Sequence, residues 1–117
     1  MFVDNGQDTL TVLGKGLEQR GFTVTTNFSA LKVMENFKEK EFSLLLADIQ
    51  MPAMSGYDLY RKLYQIDPKI KVCFLSGHGE YSEAFRIIFP QMDEKCFMTK
   101  PVSTGQLADR LSSIIDS

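Results

Sequence analysis

Tryptophan is absent from this 117-residue chain, and histidine occurs once, as His78. A single imidazole between Gly77 and Gly79 reads as an exposed loop residue and is too little for a histidine-based metal centre. Cysteine is scarce too. Cys73 and Cys96 form no CxxC and sit in apolar, strand-like settings. That points away from a disulfide framework and toward a buried, reduced pair, as expected of a cytoplasmic protein. Excess charge of either sign is also lacking, since 13 Lys and Arg against 15 Asp and Glu leave −2. This balance gives no electrostatic reason to expect direct nucleic-acid binding or an anionic membrane as partner. No stretch approaches the ~20 apolar residues of a membrane-crossing helix, and nothing reads as a signal peptide. Linkers, repeats and low-complexity tracts are missing.

What is present suits one domain over residues 1–117, with no output domain. Hydrophobic residues make up 44%, enough for a real core, and strand-like and helix-like segments alternate along the chain. Met1-Phe2-Val3 is a short apolar start before Asp4, and it reads as a trimmed first strand. The pattern predicts a helix from about Asp8 to Arg20 with Leu10, Leu13 and Leu17 on one face, stopped at Gly21. Phe22–Thr25 alternates and reads as a strand. Ser29 caps a second helix with Ala30, Val33, Met34 and Phe37 inward. Ser55 and Asp58 resemble a capping box for a third helix through Leu59, Leu63 and Ile66, ended at Asp67-Pro68. Ile70–Leu75 reads as a strand, followed by a fourth helix from about Glu80 to Phe89 that Pro90 stops. Cys96–Thr99 is a short fifth strand. Ser103 and Gln106 box the last helix, whose face is Leu107, Leu111, Ile114 and Ile115. Tyr57, Tyr60, Tyr64 and Tyr81 read as amphipathic helix surface.

The run Phe42–Ala47 is unbroken and apolar, as in a strand buried on both faces of a parallel sheet. Asp48 ends it. Alternation of this kind implies parallel strands with right-handed crossovers and helices on both faces. The expected fold is α/β: a flavodoxin-like, doubly wound, five-stranded parallel sheet of order 2-1-3-4-5 with five helices. In that order the polar residues that end apolar strands meet at one edge: Asp4 and Asn5, Asp48, Ser76 and Lys100. A carboxylate there can attack an activated phosphoryl group, given a cation and a lysine to neutralise its oxygens. Asp4, Asp48 and the Asn5 amide oxygen are hard donors of the kind Mg2+ accepts. Each residue also has a plainer reading: Asp4 as a helix cap, Asn5 as a cap or turn residue, Ser76 as turn chemistry, Lys100 as a solvated loop lysine.

Four segments carry a resemblance: Val3-Asp4-Asn5, Leu46–Pro52 through Gly56, Leu75-Ser76-Gly77 and Phe97–Pro101. In this order and spacing the chain resembles the receiver domain of two-component response regulators over essentially its whole length. The resemblance implies that Asp48 is the phosphoacceptor, served by a sensor histidine kinase or phosphotransfer protein or by small acyl phosphates. It implies Mg2+ held by Asp4, Asn5, Asp48 and the Gln50 backbone carbonyl, with Lys100 and Ser76 assisting. Ser76 and Phe97 resemble the switch pair, and Gln50 and His78 fall at positions that tune dephosphorylation. Gly77 corresponds to a small residue leaving room for the phosphoryl group. Lys100-Pro101 corresponds to a Lys-Pro pair whose peptide is usually cis. On this reading the chain is not an enzyme beyond its own phosphotransfer and dephosphorylation.

The chain departs from the pattern at Asn5, where a second acidic residue is usual, so weaker Mg2+ binding is expected. A switched face made by the fourth helix, the fifth strand and the last helix is expected to meet an effector or a second copy. The fourth helix is apolar nearly all round, through Ala84, Phe85, Ile87, Ile88 and Phe89. The alternative is a pseudo-receiver, an interaction module without phosphate turnover. A haloacid-type phosphatase would carry a second aspartate where Gln50 stands, and a flavoprotein would need a phosphate-binding loop after the first strand.

Overall fold

β3 and β4 are the strands the sequence marks most clearly, and they form the centre of the sheet. The computed structural model describes residues 1–51, 53–77, 87 and 96–116. The elements are β1 (Phe2–Val3), α1 (Gln7–Gln19), β2 (Thr26–Asn27), α2 (Ala30–Asn36), β3 (Leu44–Asp48), α3 (Gly56–Ile66), β4 (Lys71–Ser76), β5 (Phe97–Thr99) and α4 (Thr104–Ile115). All strand pairs are parallel, in the order β2-β1-β3-β4-β5. Four helices lie among the described residues. The predicted helix at 80–89, with Tyr81, His78 and Pro90, falls outside them, except that Ile87 is 81% exposed. Among the described residues no helix is long and apolar enough to cross a membrane.

Alternation along the strands divides the core in two. Leu45, Ala47, Val72 and Phe74 face α2 and α3, where Val33, Leu59 and Leu63 meet them. Leu44, Leu46, Cys73 and Leu75 face α1 and α4, where Leu13, Leu17, Leu107 and Leu111 pack. Burying each Val, Leu or Phe among them is worth about 1.5–3 kcal/mol. Cys73 and Cys96 are buried thiols, not joined by a disulfide. Burial pushes the Cys73 thiol up to about 12, with Cys96 adding to the rise.

The caps lie where the sequence places them. Ser29 accepts the Lys32 N–H, Ser55 accepts the Asp58 N–H, and Ser103 with Gln106 makes both bonds of a capping box. At α3 the box is incomplete: the Ser55 hydroxyl donates to the Asp58 carboxylate (3.0 Å).

Three expectations need correction. β2 is Thr26–Asn27, not Phe22–Thr25. The Phe22 N–H donates to Leu17 O (3.1 Å) and the Gly21 N–H to Glu18 O (3.1 Å), the paired bonds of a Schellman end to α1. Gly21 supplies the positive φ of 94° this turn requires. Phe22 therefore belongs to the helix terminus, and its alternation with Val24 reflects packing against the α1–α4 core. Second, Tyr57 and Tyr60 are core residues, each 7% exposed, whereas Tyr64 is exposed. Third, Ile66 and Ile115 lie at the exposed margins of their helices.

Candidate functional site

The registers bring the carboxyl ends of the strands together. Val3 pairs with Asn27 and Ala47, Asp48 with Leu75, and Ser76 with Thr99. Asp4 thus leaves β1 beside the end of β3, and its N–H donates to Asn27 O (3.2 Å). Asp4 is 1% exposed and Asp48 7%. One Asp4 oxygen accepts the Gly6 N–H (2.8 Å) and the other accepts Lys100 Nζ (2.8 Å). Asp48 Oδ1 accepts the Gln50 N–H (3.3 Å), and Oδ2 lies 3.5 Å from Lys100 Nζ. One ammonium therefore bridges two buried carboxylates that belong to different strands.

Burial pushes the Asp48 carboxyl above its ordinary range, and the neighbouring Asp4 charge adds to the rise. Lys100 and the Gln50 N–H pull the other way. A group so placed gains from any added positive charge.

Ser76 ends β4 and is buried, and its carbonyl accepts the Lys100 N–H (2.7 Å). The Lys100–Pro101 peptide is cis. Among the described residues, a Cβ added at Gly77 would meet nothing within 4 Å. Gln50 and Asn5 are exposed at the rim. The structure thus joins Asp4, Asp48 and Lys100 by direct contact and Ser76 to Lys100 through the backbone. His78 lies outside the described residues.

Gly56 has a steric reason. A Cβ there would lie 2.3 Å from the Asp48 carbonyl oxygen, so α3 starts hard against the end of β3. The sequence reading missed Tyr57, the next residue. Its ring meets Phe74 edge-on at 5.2 Å and Phe97 at 6.3 Å. Helical periodicity could have found this face, because Tyr60 falls three residues before the buried Leu63 and Tyr57 three before Tyr60.

Two carboxylates face the pocket, and among the described residues no group of three or more His, Cys, Asp and Glu gathers. That donor set fits Mg2+, which is commonly held by one or two carboxylates, waters and substrate phosphate. It is too sparse for a dedicated all-protein cage.

Comparison with known proteins shows the family of the chain as a whole. The model of the response regulator receiver domain matches residues 1–112. The chain belongs to the response-regulator receiver family. This receiver domain is 31% identical over 105 residues to the C4-dicarboxylate transport transcriptional regulatory protein DctD of Rhizobium meliloti (strain 1021), covering 90% of the chain and 22% of the relative. It is 38% identical over 77 residues to the response regulator receiver protein CpdR of Brucella abortus (strain 2308), covering 66% and 64%. The match thus spans about a fifth of the first relative and just under two thirds of the second. A receiver domain protein from Clostridium thermocellum has a similar structure, with TM-score 0.81 and 26% identity over 98% of this chain and 91% of that one. Receiver domains are signalling modules of two-component systems.

Proposed function

We propose that this receiver domain accepts a phosphoryl group on Asp48, from the phosphohistidine of a sensor histidine kinase or phosphotransfer protein. The observation that carries the reading is Lys100 Nζ at 2.8 Å from Asp4 and 3.5 Å from Asp48. A nucleophilic oxygen and a fixed cation then share one small pocket. An Asp48 oxygen forms the new O–P bond as the donor's P–N bond breaks, and the imidazole leaves with its electron pair and takes up a proton. Lys100 neutralises the arriving oxygens, and the Ser76 hydroxyl donates to one of them. Asp4, Asp48 and the Gln50 carbonyl, with Asn5 as a weak fourth donor, are the groups that would hold Mg2+. The ion's role would be to offset charge on the phosphoryl oxygens.

With Asp48 phosphorylated, Ser76 and Phe97 shift toward the pocket and bias the β5–α4 side toward an effector or a second copy. Gln50 and His78 then set how fast water removes the group. The domain catalyses nothing beyond this transfer and loss.

Asn5 favours a second reading, a pseudo-receiver that binds partners without turnover, because an uncharged donor weakens the cation site. Incubation with Mg2+ and acetyl phosphate, read by intact mass, decides between them. One phosphoryl adduct, absent in Asp48→Ala, is expected; no adduct on the native chain supports the pseudo-receiver.

A further inference from the structure

Three aromatic rings sit on elements that end in, lead to or abut the pocket residues. Phe74 precedes Ser76 on β4, Phe97 opens the strand that leads to Lys100, and Tyr57 follows Gly56 at the start of α3. The rings touch pairwise: Tyr57–Phe74 at 5.2 Å, Phe74–Phe97 at 5.8 Å and Tyr57–Phe97 at 6.3 Å. Tyr57 and Phe74 are buried, while Phe97 is half-buried on the outermost strand of the sheet.

The link from Asp48 to Tyr57 is short and stiff. The Gly56 N–H donates to Ile49 O (2.9 Å), and there is no room for even a methyl group between Gly56 and the Asp48 carbonyl. A shift in the main chain at Asp48 therefore has to move the first turn of α3. Tyr57 is in that turn, and close-packed rings with edge-on and tilted contacts do not absorb such a shift singly.

We propose that Tyr57 is a positioning residue that couples the Asp48 main chain to the Phe97 ring. This gives the pocket a route to the β5 edge through α3, separate from the β4–β5 ladder. The proposal rests on Asp48 as the phosphoacceptor. Coupling is reciprocal, so a partner that reorients Phe97 also alters how readily Asp48 holds its phosphoryl group.

The test follows the Phe97 ring by NMR in chain labelled at phenylalanine, with Phe97→Leu giving the assignment. Mg2+ and acetyl phosphate are added to the native chain, Tyr57→Phe and Tyr57→Leu, and adducts are counted by mass. The Phe97 resonance is expected to move equally in the native chain and Tyr57→Phe, and roughly twofold less in Tyr57→Leu at equal adduct. A native-sized shift in Tyr57→Leu, or an unmoved ring in the phosphorylated native chain, overturns the proposal. A second arm needs no phosphate. In Tyr57→Leu with Phe97→Leu, the loss of Tm should be smaller than the sum of the two single losses. Additive losses overturn the ring coupling, whereas a missing adduct on the native chain overturns the acceptor reading instead.

Discussion

Asp48 is held in a place that suits chemistry better than stability. Its raised pKa means the folded chain binds that proton more tightly than the unfolded chain does. Stability therefore falls as pH rises from the ordinary carboxylate range, near ~4, through the raised value. Asp48→Asn removes the cost. Its Tm should exceed that of the native chain at neutral pH, and the gain should fade below about pH 4, where the carboxyl is neutral in both states. Thermal melts across pH check this, and a gain that persists in acid would show that the cause is not the charge. Gly56 gives the opposite case. Gly56→Ala drives a Cβ to 2.3 Å from main-chain oxygen, and main chain cannot swing aside. The expected loss is about 1–3 kcal/mol, read by urea unfolding, with poorer phosphoryl uptake alongside. Both residues were visible in the sequence, Asp48 as the polar end of an apolar run. What the sequence did not reveal at Gly56 was the identity of the atom it must avoid.

Among the elements, those with side-chain punctuation were the most legible. Ser29, Ser55 and Ser103 each start a helix, because a hydroxyl that bonds an orphan N–H is a local device. Ser103→Ala should cost about 1 kcal/mol in urea unfolding by removing the α4 cap, without abolishing phosphoryl uptake. β2 was misplaced because its position is not local. It pairs with a two-residue β1, and Phe22 is already committed to the end of α1. Tyr57 and Tyr60 were misread for a related reason, whereas Tyr64 lies on the surface as its position suggested. A phenol tip invites a surface reading, yet the aromatic bodies of Tyr57 and Tyr60 pack edge-on against Phe74.

At the scale of the whole molecule, the parallel pairing and strand order were legible from alternation, because parallel strands with helical crossovers admit few arrangements. The convergence of Asp4, Asp48 and Lys100 followed from that order. The Lys100 bridge did not, since a side chain's reach across two strand ends is not written in spacing. Ligand linkage offers a global check on the pocket. Mg2+ at about a hundred times its Kd should stabilise the folded chain by ~2.7 kcal/mol, and Tm should rise accordingly. Asp4→Ala should abolish that rise, and Asn5→Asp should reach it at lower Mg2+. An unchanged midpoint in Asn5→Asp would show that position 5 is no ligand.

The close seating of Gly56 on the Asp48 carbonyl has one more consequence. On the proposed reading of Asp48 as phosphoacceptor, the acceptor is braced from behind and has no slack with which to meet an ill-aligned visitor. Tolerance for imperfect approach must then reside in whatever delivers the phosphoryl group, so that accuracy of delivery becomes a property of the donor.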